Sequence, residues 1–260
     1  MTERAVIDLV TNDSHVLIHV PHSSRTIPVW ARPGLLLDDA GLSRELDAMT
    51  DSHTDLIART ANDVARKPAT LLINGLSRLV VDPERFPDDR EEMLAVGMGA
   101  VYTHGHDRQE IRALDEAAQR DLIDSVFTPY ARRFADTVNA ILHRHDRVLI
   151  LDLHSYPARA LPYELHADGP RRQVCLGTDS FHTPAQLLNR VCEAFAGFDV
   201  GINTPFAGTY VPMEHYLQDR RVQSLMVEIR RDTYLDESLS PLDDAVTTLA
   251  SALAQLIDVR

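Results

Sequence analysis

Cysteine is scarce in these 260 residues: Cys175 and Cys192 are the only two. They form neither a CxxC pair nor a framework, which excludes a structural zinc ribbon and a disulfide-stapled fold, and both are expected as reduced, packed thiols. Basic charge is also short, with 26 Lys and Arg against 39 Asp and Glu and a net charge of −13 with the histidines neutral. A general nucleic-acid or anionic-membrane footprint is therefore disfavoured, although a local basic pocket for a small anion is not. No apolar run approaches the ~18 residues of a membrane span, and the amino terminus has no basic stretch leading into an apolar one. The expectation is a cytoplasmic protein with no membrane partner. Repeats, low-complexity tracts and linker-like stretches are absent too. With 44% hydrophobic and 25% charged residues, one domain over 1–260 is expected.

Short β-branched, apolar runs alternate with longer segments at helical period, the pattern of an α/β layer architecture with a mainly parallel or mixed sheet. The predicted strands are His15 to Val20, Thr70 to Ile73, Leu79 to Asp82, Val148 to Leu153, Val174 to Gly177 and Leu225 to Ile229. Thr183-Pro and Ser240-Pro read as N-cap and first-turn pairs before two helices, the first stopping near Gly197. A further helix carries Leu56, Ile57, Ala61 and Val64, and a long one spans about Arg108 to Arg144 with a break or kink at Pro129. Residues 83–107 read as an excursion over the surface, of the sort that borders active sites.

Polar residues at the strand ends carry the chemistry. Val-Leu-Ile-His-Val runs into Pro21-His22, and Val-Leu-Ile-Leu-Asp-Leu into His154-Ser155-Tyr156, so two buried strands each deliver a histidine to the edge where open α/β sheets bind ligands. A third strand leads into Glu228-Ile229-Arg230-Arg231. Two histidines, a third ligand and a separate carboxylate base are what a catalytic zinc needs. Asp51, His53 and Asp55 are all open as the third ligand. Asp51 reads equally as a helix cap. His104 and His106 are expected to be solvated, and His143 and His145 to sit at a helix end where the dipole accounts for them. Arg78 and Arg85 suit either a carboxylate-binding fork or an ion pair with Asp82. Because adjacent strand residues face opposite ways, at most one of Arg230 and Arg231 should enter the site. Gly208-Thr209-Tyr210 reads as a flexible loop carrying an aromatic hydroxyl.

Taken together, the stretches around His22, Asp51-Ser-His53-Thr-Asp55, Arg78-Leu-Val-Val-Asp82-Pro-Glu84-Arg85, His154-Ser, Gly208-Thr-Tyr210 and Glu228-Ile-Arg230-Arg-Asp resemble the N-formylglutamate amidohydrolase (N-formylglutamate deformylase) family, itself similar to zinc carboxypeptidases. The resemblance implies a phosphorylase/hydrolase-like three-layer α/β/α fold with a mixed central sheet. It implies one zinc ion on His22, Asp51 and His154, with Glu228 and Arg230 catalytic. Arg78, Arg85 and Tyr210 would then meet a small acidic N-acyl amino acid, in the family's named case N-formyl-L-glutamate. The sequence departs from that pattern at Arg25, where carboxypeptidases place a metal-binding glutamate. It also has Ser52 and Glu84 where histidine-degradation deformylases carry Trp and Asn.

Overall fold

The computed structural model describes residues 3–258. Seven strands form one mixed sheet: β1 (Ile7–Val10), β2 (Val16–Val20), β3 (Thr70–Asn74), β4 (Val148–Tyr156), β5 (Val174–Gly177), β6 (Val200–Ile202) and β7 (Val222–Arg230). Their order across the sheet is β1-β3-β2-β4-β7-β5-β6, with β3, β2, β4 and β7 parallel to one another, β1 antiparallel on one edge and β5 antiparallel to β7. Every residue of β2, β3 and β4 is buried, because helices cover both faces and the runs are apolar almost throughout.

On one face, α2 (Thr54–Val64), α5 (Ala185–Ala194) and α6 (Asp243–Ile257) pack Ile57, Ala61, Leu187, Val191, Leu249 and Leu253 onto Ile18, Leu151, Val227 and Ile229. On the other, α4 (Thr128–Leu142) sets Tyr130, Phe134, Val138 and Ile141 against Leu17, Leu72, Ile150 and Val222. The result is the expected three-layer α/β/α arrangement. Truncating a fully buried core residue such as Leu151 or Leu253 to Ala would cost about 2–5 kcal/mol.

Several expectations are corrected. Leu79 to Asp82 is a turn, not a strand: the Val80 amide bonds to the Ser77 carbonyl, and the run is apolar because the turn itself is buried. Strand β4 continues past its apolar run, so His154 lies within paired strand rather than after it, opposite Glu228, which is inside β7 as the predicted Leu225 to Ile229 strand has it. The edge strands β1 and β6 were not expected; they are three or four residues long and only partly buried. Thr183 and Ser240 cap nothing. Thr183 Oγ1 accepts the Asp179 amide and donates to the Ser224 carbonyl, Ser240 bonds Ser238, and the helices start at Ala185 and Asp243.

The long helix starts at α3 (Glu116–Leu122), capped by Asp115, and passes through a π-helical turn over Ile123–Phe127 into α4. Pro129 supplies no N–H to the carbonyl of Ser125, which accepts the Arg4 amide instead, so of the break or kink expected at Pro129 the chain shows no break but a π-helical turn just before it. The stretch 83–107 is not a plain surface excursion, since it buries Met93, Met98, Ala100, Val101 and Tyr102. Within it His106 is held by the buried Glu45 at 2.6 Å rather than solvated.

Candidate active site

The carboxyl ends of β2, β4 and β7 open into a cavity of about 660 Å³. His22 lies two residues beyond β2, and its carbonyl accepts the Asp51 amide at 3.0 Å, which ties the segment after α1 (Asp39–Met49) to the β2 end. Asp51 is not the helix cap: α2 begins after His53, whose left-handed φ of 64° turns the chain. His53 and Asp55 are absent from the cavity lining, whereas Asp51 is part of it.

His22 Nδ1, His154 Nδ1 and Asp51 Oδ2 face one another, with 3.3 Å between the two nitrogens and 3.6 and 3.2 Å from them to the oxygen. A tetrahedral ion with 2.0–2.1 Å bonds needs ligand-to-ligand edges of about 3.3 Å, so three such donors fit zinc. Behind the rings stand further carboxylates. His22 Nε2 meets Asp82 Oδ1 at 2.9 Å and His154 Nε2 lies 3.2 Å from Asp152 Oδ1, the outer support that fixes metal-binding imidazoles. Burial alone would raise the Asp51 and Asp82 carboxyls. Hydrogen bonds from His154 and His22 outweigh it at Asp51, and His22 and Arg78 outweigh it at Asp82, so both are held far below the usual carboxylate range.

Glu228 faces the same cavity in the opposite condition. It is paired in register with His154, its Oε2 is buried without a hydrogen-bond partner, and burial pushes its carboxyl up to about 7. One cavity thus holds a carboxylate kept ionised and another poised to carry a proton near neutrality.

The arginines divide sharply. Arg78 is closed onto Asp82 at 2.7 Å and the Tyr102 hydroxyl at 3.0 Å, the ion-pair alternative. Arg85 also lines the cavity, but its Nε is buried without a hydrogen-bond partner, 3.6 Å from Asp82, and its Nη1 lies 3.5 Å from Glu91. Arg230 does not line the cavity. It sits past the rim and spends its guanidinium on Asp232 and the Arg171 carbonyl. Arg231 is the one that reaches in, because the chain leaves β7 there for a 3₁₀ turn and its side chain hooks under the sheet end to Ser155, the Ala48 carbonyl and Asp51 Oδ1 at 3.3 Å.

Tyr210 lines the cavity in a pinned segment, not a flexible one. Its ring stacks on Phe134, its amide donates to Asp152, and the Gly208 carbonyl before it packs on Gly177, where any Cβ would collide. Sequence reading left Arg230 and Arg231 open and the resemblance favoured Arg230, the wrong one of the two for this cavity; it missed Asp82 and Asp152 in the lining and His19 behind it. The signal for Asp152 and His19 was present, since both are polar interruptions of otherwise apolar buried strands.

The model of the N-formylglutamate amidohydrolase family matches residues 14–235. Among solved structures, the chain is similar to N-formylglutamate amidohydrolase from Ralstonia eutropha JMP134, with 23% identity and a TM-score of 0.78 over 96% of this chain and 98% of that one. It is also similar to a gene product of Agrobacterium tumefaciens, with 21% identity and a TM-score of 0.71 over 96% and 92% of the two chains. No curated protein matches by sequence.

Proposed function

Because the chain belongs to the N-formylglutamate amidohydrolase family, we propose that it is a zinc-dependent hydrolase of the amide bond of an N-acyl amino acid, N-formyl-L-glutamate in the first instance, yielding formate and L-glutamate. The observation that carries this reading is the trio of His22, Asp51 and His154 at tetrahedral-edge spacing, with the unpartnered Glu228 in the same cavity. Zinc bound there supplies Lewis acidity toward the acyl carbonyl and toward water at neutral pH.

The remaining roles fall to side chains. Glu228 takes the proton of the attacking water at Oε2 and returns it to the departing amine nitrogen, a task suited to a carboxyl near 7. Asp82 accepts from the outer nitrogen of His22, and Asp152 stands 3.2 Å from that of His154, which leaves each Nδ1 turned toward Asp51. Arg231 keeps Asp51 turned toward them. Arg85, the least committed guanidinium of the lining, receives a substrate carboxylate, while Arg78 keeps Asp82 in place. Tyr210 presents its hydroxyl on the cavity wall.

Formate release from N-formyl-L-glutamate, measured with chelator and after zinc add-back, tests this. Turnover lost to chelator and restored by zinc supports it; chelator-resistant turnover rejects the metal role. A second reading, hydrolysis of a larger N-acyl group, is favoured by the apolar wall of Phe127, Ala131, Ala135, Met213 and Tyr216. A panel of N-acyl amino acids ranked by kcat/KM separates the two, with the larger acyl groups leading if this second reading holds.

A further inference from the structure

Directly behind the trio lies a second convergence of ligating atoms. His19 Nδ1 is 2.9 Å from Asp152 Oδ1 and 3.3 Å from Glu84 Oε1, and His154 Nε2 is 3.2 Å from the same Asp152 oxygen and 3.3 Å from Glu84 Oε2. These edges match the roughly 3.3 Å that a tetrahedral ion with 2.0–2.1 Å bonds requires.

The other ends of two of these side chains are anchored so that the ligating atoms point inward. His19 Nε2 is held by the Tyr130 hydroxyl at 2.7 Å, and Asp152 Oδ2 accepts the Tyr210 amide at 3.0 Å. Two of the inward atoms are unsatisfied: His154 Nε2 and Glu84 Oε1 are buried without a hydrogen-bond partner, the first on a side chain only 5% exposed.

Charge balance points the same way. Asp51 has Arg231 and Asp82 has Arg78 and Arg85, but among the described residues no Lys or Arg pairs with Glu84 or Asp152. Two buried carboxylates facing one gap without a fixed cation are costly unless protonated histidines or an ion balance them.

We propose that His19, Glu84, Asp152 and His154 Nε2 form a second divalent metal site, of a composition suited to zinc or a similar first-row ion. With only the first site filled, a proton on His154 Nε2 occupies the gap; the second ion displaces it to solvent. His154 then offers Nδ1 to one ion and Nε2 to the other, so filling the second site fixes the ring that serves the first. The proposal shares His154 with the catalytic reading but is tested without any measurement of activity.

The test is a zinc titration of chelator-stripped protein by calorimetry, with metal content measured by mass spectrometry after gel filtration. Wild type is expected to hold two equivalents and Glu84→Gln and His19→Gln one each. Asp51→Ala should also hold one, a different one, and the Asp51→Ala/Glu84→Gln double variant none. A single equivalent in wild type at saturating zinc, or two in Glu84→Gln, overturns the second site. If that single equivalent is lost in Asp51→Ala, the catalytic reading survives alone; if it is lost only in Glu84→Gln, the one ion sits among His19, Glu84 and Asp152, and the catalytic trio falls together with the two-ion arrangement. Should the variants misfold by circular dichroism, anomalous scattering at the zinc edge from zinc-grown wild-type crystals decides, two peaks supporting the site and one overturning it.

Discussion

Two corners of one cavity treat a carboxylate in opposite ways. At the segment between α1 and α2, Asp51 meets two histidines and Arg231 and is driven to the ionised state. At the end of β7, Glu228 has comparable burial, no hydrogen-bond partner on Oε2, and a carboxyl raised to about 7. The same functional group thus becomes a candidate ligand in one place and a candidate proton carrier in the other, and the neighbours alone make the difference.

The largest expected effect comes from breaking the Asp51 corner. Asp51→Ala should lose the catalytic zinc and reduce turnover to background, whereas Asp55→Ala should keep both; metal analysis beside a formate assay checks the pair, and the reverse pattern would move the ligand. Breaking the other corner should look different. Glu228→Gln is expected to retain zinc yet lose ~10²-fold or more in kcat, the usual cost of a missing general base, and near-normal turnover would remove Glu228 from proton transfer.

Arg85→Ala should raise KM tenfold or more with zinc content unchanged, in line with loss of a carboxylate anchor; steady-state kinetics with an N-acyl amino acid decide it.

A pH series sharpens the comparison further. Since the folded-state carboxyl of Glu228 lies above its ordinary value of 4.5, its contribution to stability is full below that value and is lost as pH rises through about 7. In chelator-treated protein, the stability advantage of Glu228→Gln over wild type should therefore widen between pH 4.5 and 8, by about 3 kcal/mol for a shift of this size. Denaturant unfolding at both pH values measures it, and a constant gap would contradict the raised carboxyl. The smallest effect is expected outside the cavity, where Arg230→Ala should change kcat/KM by less than about twofold, as a surface change away from the site does.

Much of the fold was legible because its central strands are buried on both faces and so read as continuous apolar runs. The edge strands β1 and β6, partly exposed and short, lack that signature. The Leu79 to Asp82 run carries the signature without being a strand, since a buried turn needs the same side chains. Within the site, His22 and His154 stood out as imidazoles following apolar strands. Asp82 did not, because its function depends on partners 60 and 20 residues away, His22 and Tyr102.

The sequence by itself determined the α/β class, the strands that carry His22, His154 and Glu228, and, through its motifs, the family. Only the tertiary structure decided which of Asp51, His53 and Asp55 meets the histidines, that Arg231 and not Arg230 reaches the cavity, and that His19, Glu84 and Asp152 converge behind His154. The physical reason is range. Apolar periodicity is a local property written within a few residues, whereas ligand geometry, charge pairing and the protonation of a buried carboxyl depend on atoms that meet only when distant segments pack together.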